Sequence, residues 1–180
     1  MLFGVVGMMV MTASNHLLSL YVGLELLALC LYTLVALRID STAASEAAMK
    51  YFVLGALASG ILLYGMSLLY GLTGTLYLSE LSESIARHDG SMLPRTMALI
   101  LVLVGLLFKM GAVPFHMWVP DVYEGSPTSS TVYLATAPKL AGFAIIFRLL
   151  ADGLESLATE WQGMLVVVSI ISLALGNVIA

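Results

Sequence analysis

Apolar runs long enough to cross a lipid bilayer recur along this chain, and they constrain the fold more than any other feature. A transmembrane helix needs about 20 consecutive, predominantly apolar residues. Hydrophobic residues make up 61% of the 180 residues and charged residues only 10%, whereas about 25% of the residues in soluble domains are charged. The sequence therefore predicts an all-α, polytopic transmembrane helix bundle that forms a single transmembrane domain over residues 1–180.

The apolar runs also predict where the individual helices lie. The first run, residues 2–14, is too short to span a bilayer, so we interpret it as part of an incomplete helix. The last run reaches the final residue, and we expect the chain to be an internal piece of a longer protein. The predicted complete spans lie at about residues 17–37, 44–70, 93–113, 129–150 and 161–180.

Two further patterns describe how these helices are connected and packed. The long connection at residues 71–95 contains Leu76, Leu78, Leu81 and Ile85 among polar residues, which predicts a short amphipathic helix at the membrane interface. Gly55 and Ser59 are four residues apart in the third helix. Small residues at this spacing predict close packing against another helix.

Several functional classes are excluded by composition. The seven basic residues are scattered and the net charge is −4, so we expect no nucleic-acid partner. The single cysteine, Cys30, lies in an apolar run, where it can form no internal disulfide and has no companions for a metal site. The sequence contains no glycine-rich dinucleotide motif and no cysteine cluster. We therefore expect this chain to bind no cofactor and no metal.

Four ionisable residues lie inside predicted spans. Glu25 and Lys139 are near the middle of theirs, Lys50 is one or two turns inside the third helix, and Lys109 ends a long apolar run. A charged side chain at the centre of a bilayer costs about 2.5–3.5 kcal/mol even on the lenient insertion scale. Such residues commonly mark ion or proton pathways.

Other interpretations of these residues stay open. Lys50 is close enough to a helix end for its amine to reach the membrane surface. A structural pair between a glutamate and a lysine could hold helices together without moving any proton. Burial disfavours the charged form of both side chains, and an opposite charge nearby favours it. A Glu–Lys pair in a dry bundle is therefore suited to loading and releasing protons, whereas buried lysines repel alkali cations.

Pro114 interrupts the helix that carries Lys109. Proline lacks the N–H group and clashes with the preceding turn, and Gly111 loosens the same region. Broken helices are tolerated in membranes only where protein or a water-filled cavity satisfies the backbone, and transporters place ion sites at such breaks. We therefore expect Lys109 beside a cavity. His116 follows the break, and both a proton-relay role and a passive hydrogen-bonding role are open for it.

Three segments of the chain together resemble one known family. They are GLELLALCLYTLVAL, AAMKYFVLGALASGILLYGMSLLYGLTGT and FKMGAVPFHMWVPDVYEGSPT. In this order and spacing they are similar to the antiporter-like membrane subunits of respiratory complex I, the proton-pumping NADH–quinone oxidoreductase. The DVYEGSPT string is most similar to the subunit N branch, which is called subunit 2 in mitochondria.

The resemblance implies a fold and a set of functional residues. The family is built from two inverted repeats with one broken helix each, and this chain would be the first repeat plus the first helix of the second. Glu25 matches a mid-membrane glutamate that pairs with the lysine of the broken helix, Lys109. Lys50 matches a lysine that modulates the pair, and Lys139 matches one that passes protons toward the second repeat.

The resemblance also implies partners and location. The chain would translocate protons within complex I, beside other membrane subunits and in contact with the lipid bilayer. NADH, FMN, iron–sulfur clusters and quinone would be bound by partner subunits. The location would be the bacterial inner membrane, or the mitochondrial inner membrane for an organellar protein. Two alternatives remain: a subunit of a multisubunit cation/proton antiporter of the same fold, and a purely structural bundle.

Overall fold

Helices dominate the part of the chain that the computed structural model describes, residues 1–87 and 92–179. The described residues contain no strand, only one isolated bridge between His16 and Tyr77. Five helical segments are long and apolar enough to cross a membrane. The predicted all-α transmembrane bundle is therefore confirmed. These segments are Leu17–Val35, Thr42–Thr73, Met92–Met110, Thr128–Gly153 and Glu155–Val178.

The individual helices follow the chain in a simple order. A π-helical turn at Arg148–Gly153 and a short 3-10 turn at Glu155–Leu157 link the last two helices. The helices are α1 (Leu2–Ala13), α2 (Leu17–Val35), α3 (Thr42–Thr73), α4 (Leu78–Ala86), α5 (Met92–Met110), α6 (Val119–Gly125), α7 (Thr128–Ala135), α8 (Ala137–Phe147) and α9 (Ala158–Ile179).

Glycines allow two pairs of helices to pack closely. A Cβ atom on Gly105 of α5 would lie 2.6 Å from the Leu62 Cβ of α3, and one on Gly65 would lie 2.8 Å from the Val102 backbone nitrogen. In the same way, a Cβ on Gly23 of α2 would lie 2.8 Å from the Met11 backbone nitrogen of α1. Small residues at membrane helix contacts let backbones approach, so these glycines set the spacing of α3 with α5 and of α1 with α2.

Arg148 ties the first helix to a much later part of the chain. Its Nη1 donates hydrogen bonds to the backbone oxygens of Thr12 and Ser14, the second at 2.9 Å. These carbonyl groups lie at the C-terminal end of α1, where no helical donor remains. Arg148 therefore caps α1 from the π-helical turn that follows α8.

The amphipathic stretch predicted within residues 71–95 is helix α4. Leu78, Leu81 and Ile85 are its buried residues. The 3-10 turn is joined to α4 by a hydrogen bond, in which the Ser156 N–H donates to Ser82 Oγ at 3.1 Å. The connection therefore packs against the bundle through its apolar face.

Two membrane segments are interrupted. Helix α5 ends at Met110, three residues before the predicted end of its span, and α6 begins only at Val119. The predicted span at 129–150 is itself divided, because Thr136 has φ −114° and ψ −89° between α7 and α8. Pro138 stands in the first turn of α8, where the missing N–H is tolerated. The second interruption was not expected from the apolar pattern, which runs through it unbroken.

Candidate functional site

Glu25 and Lys109 form an ion pair between two helices of the bundle. Glu25 is on α2, and Lys109 is the penultimate residue of α5. The distance from Glu25 Oε1 to Lys109 Nζ is 3.8 Å, with side-chain exposures of 27% and 16%. This separation suits an ion pair and is too long for a direct hydrogen bond. The structure thus brings together two residues that the sequence singled out.

Ser59 of α3 adds a hydroxyl group to this pair. Its Oγ donates a hydrogen bond to the same Glu25 Oε1, and Ser59 is buried. Hydrogen bonds to ionised acceptors are stronger than neutral ones, so Ser59 holds the carboxylate in place beside Lys109. The sequence pointed to Ser59 only as a small packing residue.

The helix break lies directly beyond Lys109. Gly111 has φ +70°, a backbone conformation that glycine adopts far more readily than other residues. The end of α5 leaves carbonyl groups without helical donors. Two of them are satisfied locally, because the Gly111 N–H donates to Phe108 O at 3.0 Å and the Ala112 N–H donates to Leu107 O at 3.1 Å.

Lys139 satisfies the last two carbonyl groups of α5. It lies in the first turn of α8, and its Nζ donates hydrogen bonds to Lys109 O at 3.2 Å and Met110 O at 2.9 Å. A cation at a helix C-terminus also interacts favourably with the helix dipole. The Lys139 side chain is therefore joined to the backbone of Lys109 and Met110. No sequence pattern revealed this contact.

Trp118 completes the cap. Its indole Nε1 donates a hydrogen bond to Phe108 O at 3.0 Å, and the Lys139 Nζ lies 4.8 Å from the centre of its ring. This distance is within the range of cation–π interactions. Trp118 is 2% exposed. In the sequence, Trp118 is only one member of the FKMGAVPFHMWVPDVYEGSPT segment, which assigns it no role.

A small cavity connects the two lysines. Its volume is about 40 Å³, enough for about two or three water molecules by the space one water needs. Lys109 and Lys139 both line it, together with Trp118, Tyr51 and mostly aliphatic side chains. A cavity is therefore present beside the broken helix, and the two lysines are its charged lining residues.

Lys50 lies apart from this cluster. Its Nζ is 2.8 Å from Glu46 Oε1 and 3.0 Å from Asp121 Oδ2, and its side chain is 42% exposed. Lys50 and Ser59 are nine positions apart on α3, which corresponds to about 13 Å along the helix axis. The structure does not bring Lys50 to the Glu25–Lys109 pair, and its part in a proton path stays a prediction.

His116 lies within the turn between α5 and α6. Its backbone oxygen accepts a hydrogen bond from the Val119 N–H at 2.8 Å. Its ring Nδ1 is buried and has no hydrogen-bond partner among the described residues. Neither the relay role nor the passive role is decided by this arrangement.

Metal-binding clusters are not found in the described ranges 1–87 and 92–179. No group of three or more His, Cys, Asp or Glu side chains there could hold a metal ion. Cys30 is a half-buried free thiol. The chemistry available at the site is therefore that of two amines on a small cavity, with a carboxylate and a hydroxyl beside one of them.

Known proteins provide an independent comparison. The family model described as "NADH:quinone oxidoreductase/Mrp antiporter, TM" matches residues 14–180. NADH-quinone oxidoreductase subunit N of Thioalkalivibrio sulfidiphilus is 62% identical over 180 residues, which is 99% of this chain and 38% of that protein. The chain therefore spans about 38% of the length of this curated relative.

Solved structures share the fold. A chain of respiratory complex I from Thermus thermophilus with bound aureothin is similar with a TM-score of 0.71 and 44% identity, covering 82% of this chain and 32% of that one. A chain of the Mrp complex from Dietzia sp. DQ12-45-1b has a TM-score of 0.72 and 26% identity, covering 84% and 28%. With the match over residues 14–180, the chain belongs to the family of NADH:quinone oxidoreductase and Mrp antiporter transmembrane subunits.

Proposed function

We propose that this chain translocates protons as part of the membrane domain of an NADH–quinone oxidoreductase. The observation that carries the proposal is the Glu25–Lys109 pair beside a cavity that also contacts Lys139. Ionisable groups in membrane segments mark ion and proton pathways. The 62% identity to a subunit N supports the same conclusion.

The geometry suggests how a proton would move. While the Glu25 carboxylate is close, it stabilises the protonated Lys109 amine. When the pair separates, this attraction weakens and the Lys109 N–H can give its proton to water in the cavity, the nitrogen keeping the electron pair. Lys139, on the same cavity, receives the proton when its own amine is neutral. Alkali cations would be repelled by the two amines.

The remaining candidates have smaller parts in this proposal. Lys50, bound to Glu46 and Asp121, is not needed for the transfer between Lys109 and Lys139, and its part in the path stays a prediction. His116 is left as a relay candidate, because its Nδ1 is buried and unpartnered in the described part of the chain. The path through this chain thus consists of Glu25, Lys109 and Lys139.

The driving energy would come from other subunits. In this proposal, NADH, FMN, iron–sulfur clusters and quinone are bound by partner chains, and quinone reduction there changes the separation of Glu25 and Lys109. The partners are the other membrane subunits of complex I and the surrounding lipid. The high identity to bacterial relatives supports the inner (plasma) membrane as the location.

A cation/proton antiporter subunit is the second candidate. The similarity to the Mrp complex chain at a TM-score of 0.72 favours it. The identity to that chain is 26%, against 62% to a subunit N, so the oxidoreductase is the better-supported assignment. Sodium-driven proton movement without NADH would identify the antiporter.

The decisive experiment replaces Lys109 in the full-length protein within its assembled complex. In inverted membrane vesicles, Lys109→Ala is expected to abolish both NADH oxidation and NADH-driven acidification while the complex still assembles. Lys109→Arg keeps a positive charge beside Glu25, but guanidinium is not deprotonated in proteins. Arginine is therefore expected to fail as well. Normal pumping with arginine would contradict proton transfer and support a structural ion pair.

A further inference from the structure

Trp118 makes three different contacts at the helix break, and the proton path described above gives it no part. Its indole Nε1–H donates a hydrogen bond to Phe108 O near the end of α5. Its ring lies 4.6 Å from Tyr51 of α3 in a stacked arrangement with a 14° interplanar angle. The Lys139 ammonium lies 4.8 Å from the same ring centre.

These contacts use two properties of tryptophan together, an N–H donor and a large aromatic face. The indole N–H is a donor without acceptor capacity, and it gives Phe108 O a second hydrogen bond beside the one from the Gly111 N–H. The indole face is the strongest aromatic partner for a cation. Phenylalanine offers a face without a donor, and serine offers a donor without a face. Trp118 therefore links the end of α5 to the ammonium of Lys139.

The packing around Trp118 keeps the ring in one orientation. The side chain is buried, and besides Tyr51 it contacts Phe108 and Tyr123 at ring distances of 5.8 and 6.4 Å. A buried aromatic ring fixed on several sides provides a preformed surface for a cation. Lys139 can approach it without reorganising the bundle.

We propose that Trp118 is a positioning residue that holds protonated Lys139 at the end of α5, where its ammonium faces the cavity shared with Lys109. This inference rests on the proposed function, because it concerns the same proton path. Two carbonyl groups and one ring face hold the ammonium together. The cation–π attraction exists only for the protonated amine.

The consequence is a coupling between the proton on Lys139 and the cap of the broken helix. When the Nζ–H bond breaks and the proton passes to water or a neighbouring base, the nitrogen keeps the electron pair and loses its positive charge. The ring then no longer attracts it, and its hydrogen bonds to Lys109 O and Met110 O become neutral ones, which are weaker. Lys139 is released from α5 at the step in which it has delivered its proton.

The test compares two tryptophans in the complete complex. Trp161 of α9 also donates its Nε1 to a backbone oxygen, that of Leu154 at 3.0 Å, but none of the described lysines lies over its ring. Trp118→Phe is expected to reduce NADH-driven acidification per assembled complex about three- to tenfold, because it loses the indole donor and offers the ammonium a weaker ring face. Trp161→Phe is expected to stay within about twofold, since it loses one neutral hydrogen bond.

Further measurements separate positioning from mere stability. The solvent deuterium isotope effect on NADH oxidation is expected to rise in Trp118→Phe, because proton transfer through a poorly held Lys139 becomes slower than the other steps. Trp118→Leu removes the ring face entirely and is expected to pump less than Trp118→Phe. An unchanged isotope effect, equal activity of the Leu and Phe variants, or equal loss in Trp118→Phe and Trp161→Phe would overturn the inference. If Lys109→Ala also pumps normally, the proposed function itself fails.

Discussion

Two lysines of this protein bind carboxylates in very different surroundings. Lys50 lies between Glu46 and Asp121 at 2.8 and 3.0 Å, with 42% of its side chain exposed. Lys109 lies 3.8 Å from Glu25 and is much less exposed. The shorter contacts belong to the exposed lysine and the longer contact to the half-buried one.

Distance alone is therefore a poor guide to the energetic weight of these pairs. Water and salt screen exposed ion pairs, and most of them contribute little. In a buried pair, the removal of one partner leaves an uncompensated charge. Breaking the longer Glu25–Lys109 contact therefore costs more free energy than breaking the shorter contacts of Lys50. The 3.8 Å separation of Glu25 Oε1 and Lys109 Nζ also leaves room for a change in hydration.

The largest expected effect comes from Glu25→Gln. The amide still accepts the Ser59 hydrogen bond but leaves Lys109 without a negative partner. Removing one member of a fully buried pair costs about 3–5 kcal/mol. This pair is half-buried, so a smaller part of that cost applies, and NADH-driven acidification in inverted vesicles should fall about tenfold or more. The matched control is Glu46→Gln at the exposed pair, expected to change the rate less than about twofold. Equal losses in both variants would remove the distinction between the two regions.

Gly111→Ala is expected to destabilise the folded protein more than Gly74→Ala does. A Cβ there would lie 2.8 Å from Val119 Cγ2, and φ is +70°. Gly74, at the end of α3, has φ +71° but nothing within 4 Å of its Cβ position. Both changes introduce backbone strain of about 1–3 kcal/mol, and only Gly111→Ala adds crowding. Thermal inactivation of the assembled complex should occur at a lower temperature for Gly111→Ala, and the reverse order would contradict the described geometry.

Ser59→Ala is expected to have a moderate effect. It removes the hydroxyl that holds Glu25, and hydrogen bonds to charged groups contribute about 1.5–3 kcal/mol. We expect acidification to slow about three- to tenfold. The effect on the rate is smaller than the whole hydrogen-bond energy, because Ser59 bonds Glu25 both when Glu25 is paired with Lys109 and when the two are separated. Ser67→Ala, on an exposed face of the same helix, is the control and should pump normally. A normal rate for Ser59→Ala would show that Glu25 needs no help from α3.

Lys50→Ala is expected to have the smallest effect. Its two partners are exposed carboxylates, so pumping should change less than about twofold at physiological salt. Asp121→Asn removes one of those partners and is expected to be equally mild. A loss as large as that of Glu25→Gln would return Lys50 to the proton path that the family resemblance implies for it.

The fold class and the charged residues could be predicted from local sequence. Apolar length identified the membrane helices, and Gly111 with Pro114 marked the break beyond Lys109. The contacts between distant residues could not be predicted in this way. Lys139 lies near the middle of the segment Thr128–Gly153, but its place at the start of α8 follows from the interruption at Thr136, which the apolar pattern does not reveal. Its bonds to Lys109 O and Met110 O join positions about thirty residues apart.

Ser59 and Trp118 were missed for a related reason. A serine four residues from a glycine is typical of close helix packing, and a tryptophan is typical of a membrane interface. What gives each of them its role is a partner on another helix: Glu25 for Ser59 and Lys139 for Trp118. Such pairings depend on how α2, α3, α5 and α8 are arranged in space.

The cap that Arg148 provides for α1 has a consequence for the timing of biosynthesis. Arg148 follows its acceptor Thr12 by 136 residues. Ribosomes add about 5–20 residues per second, so roughly 7–27 s pass between the synthesis of α1 and that of its capping side chain. During this interval the carbonyl groups of Thr12 and Ser14 lack the Arg148 donor, and the cap of α1 is completed only after Arg148 has been synthesised.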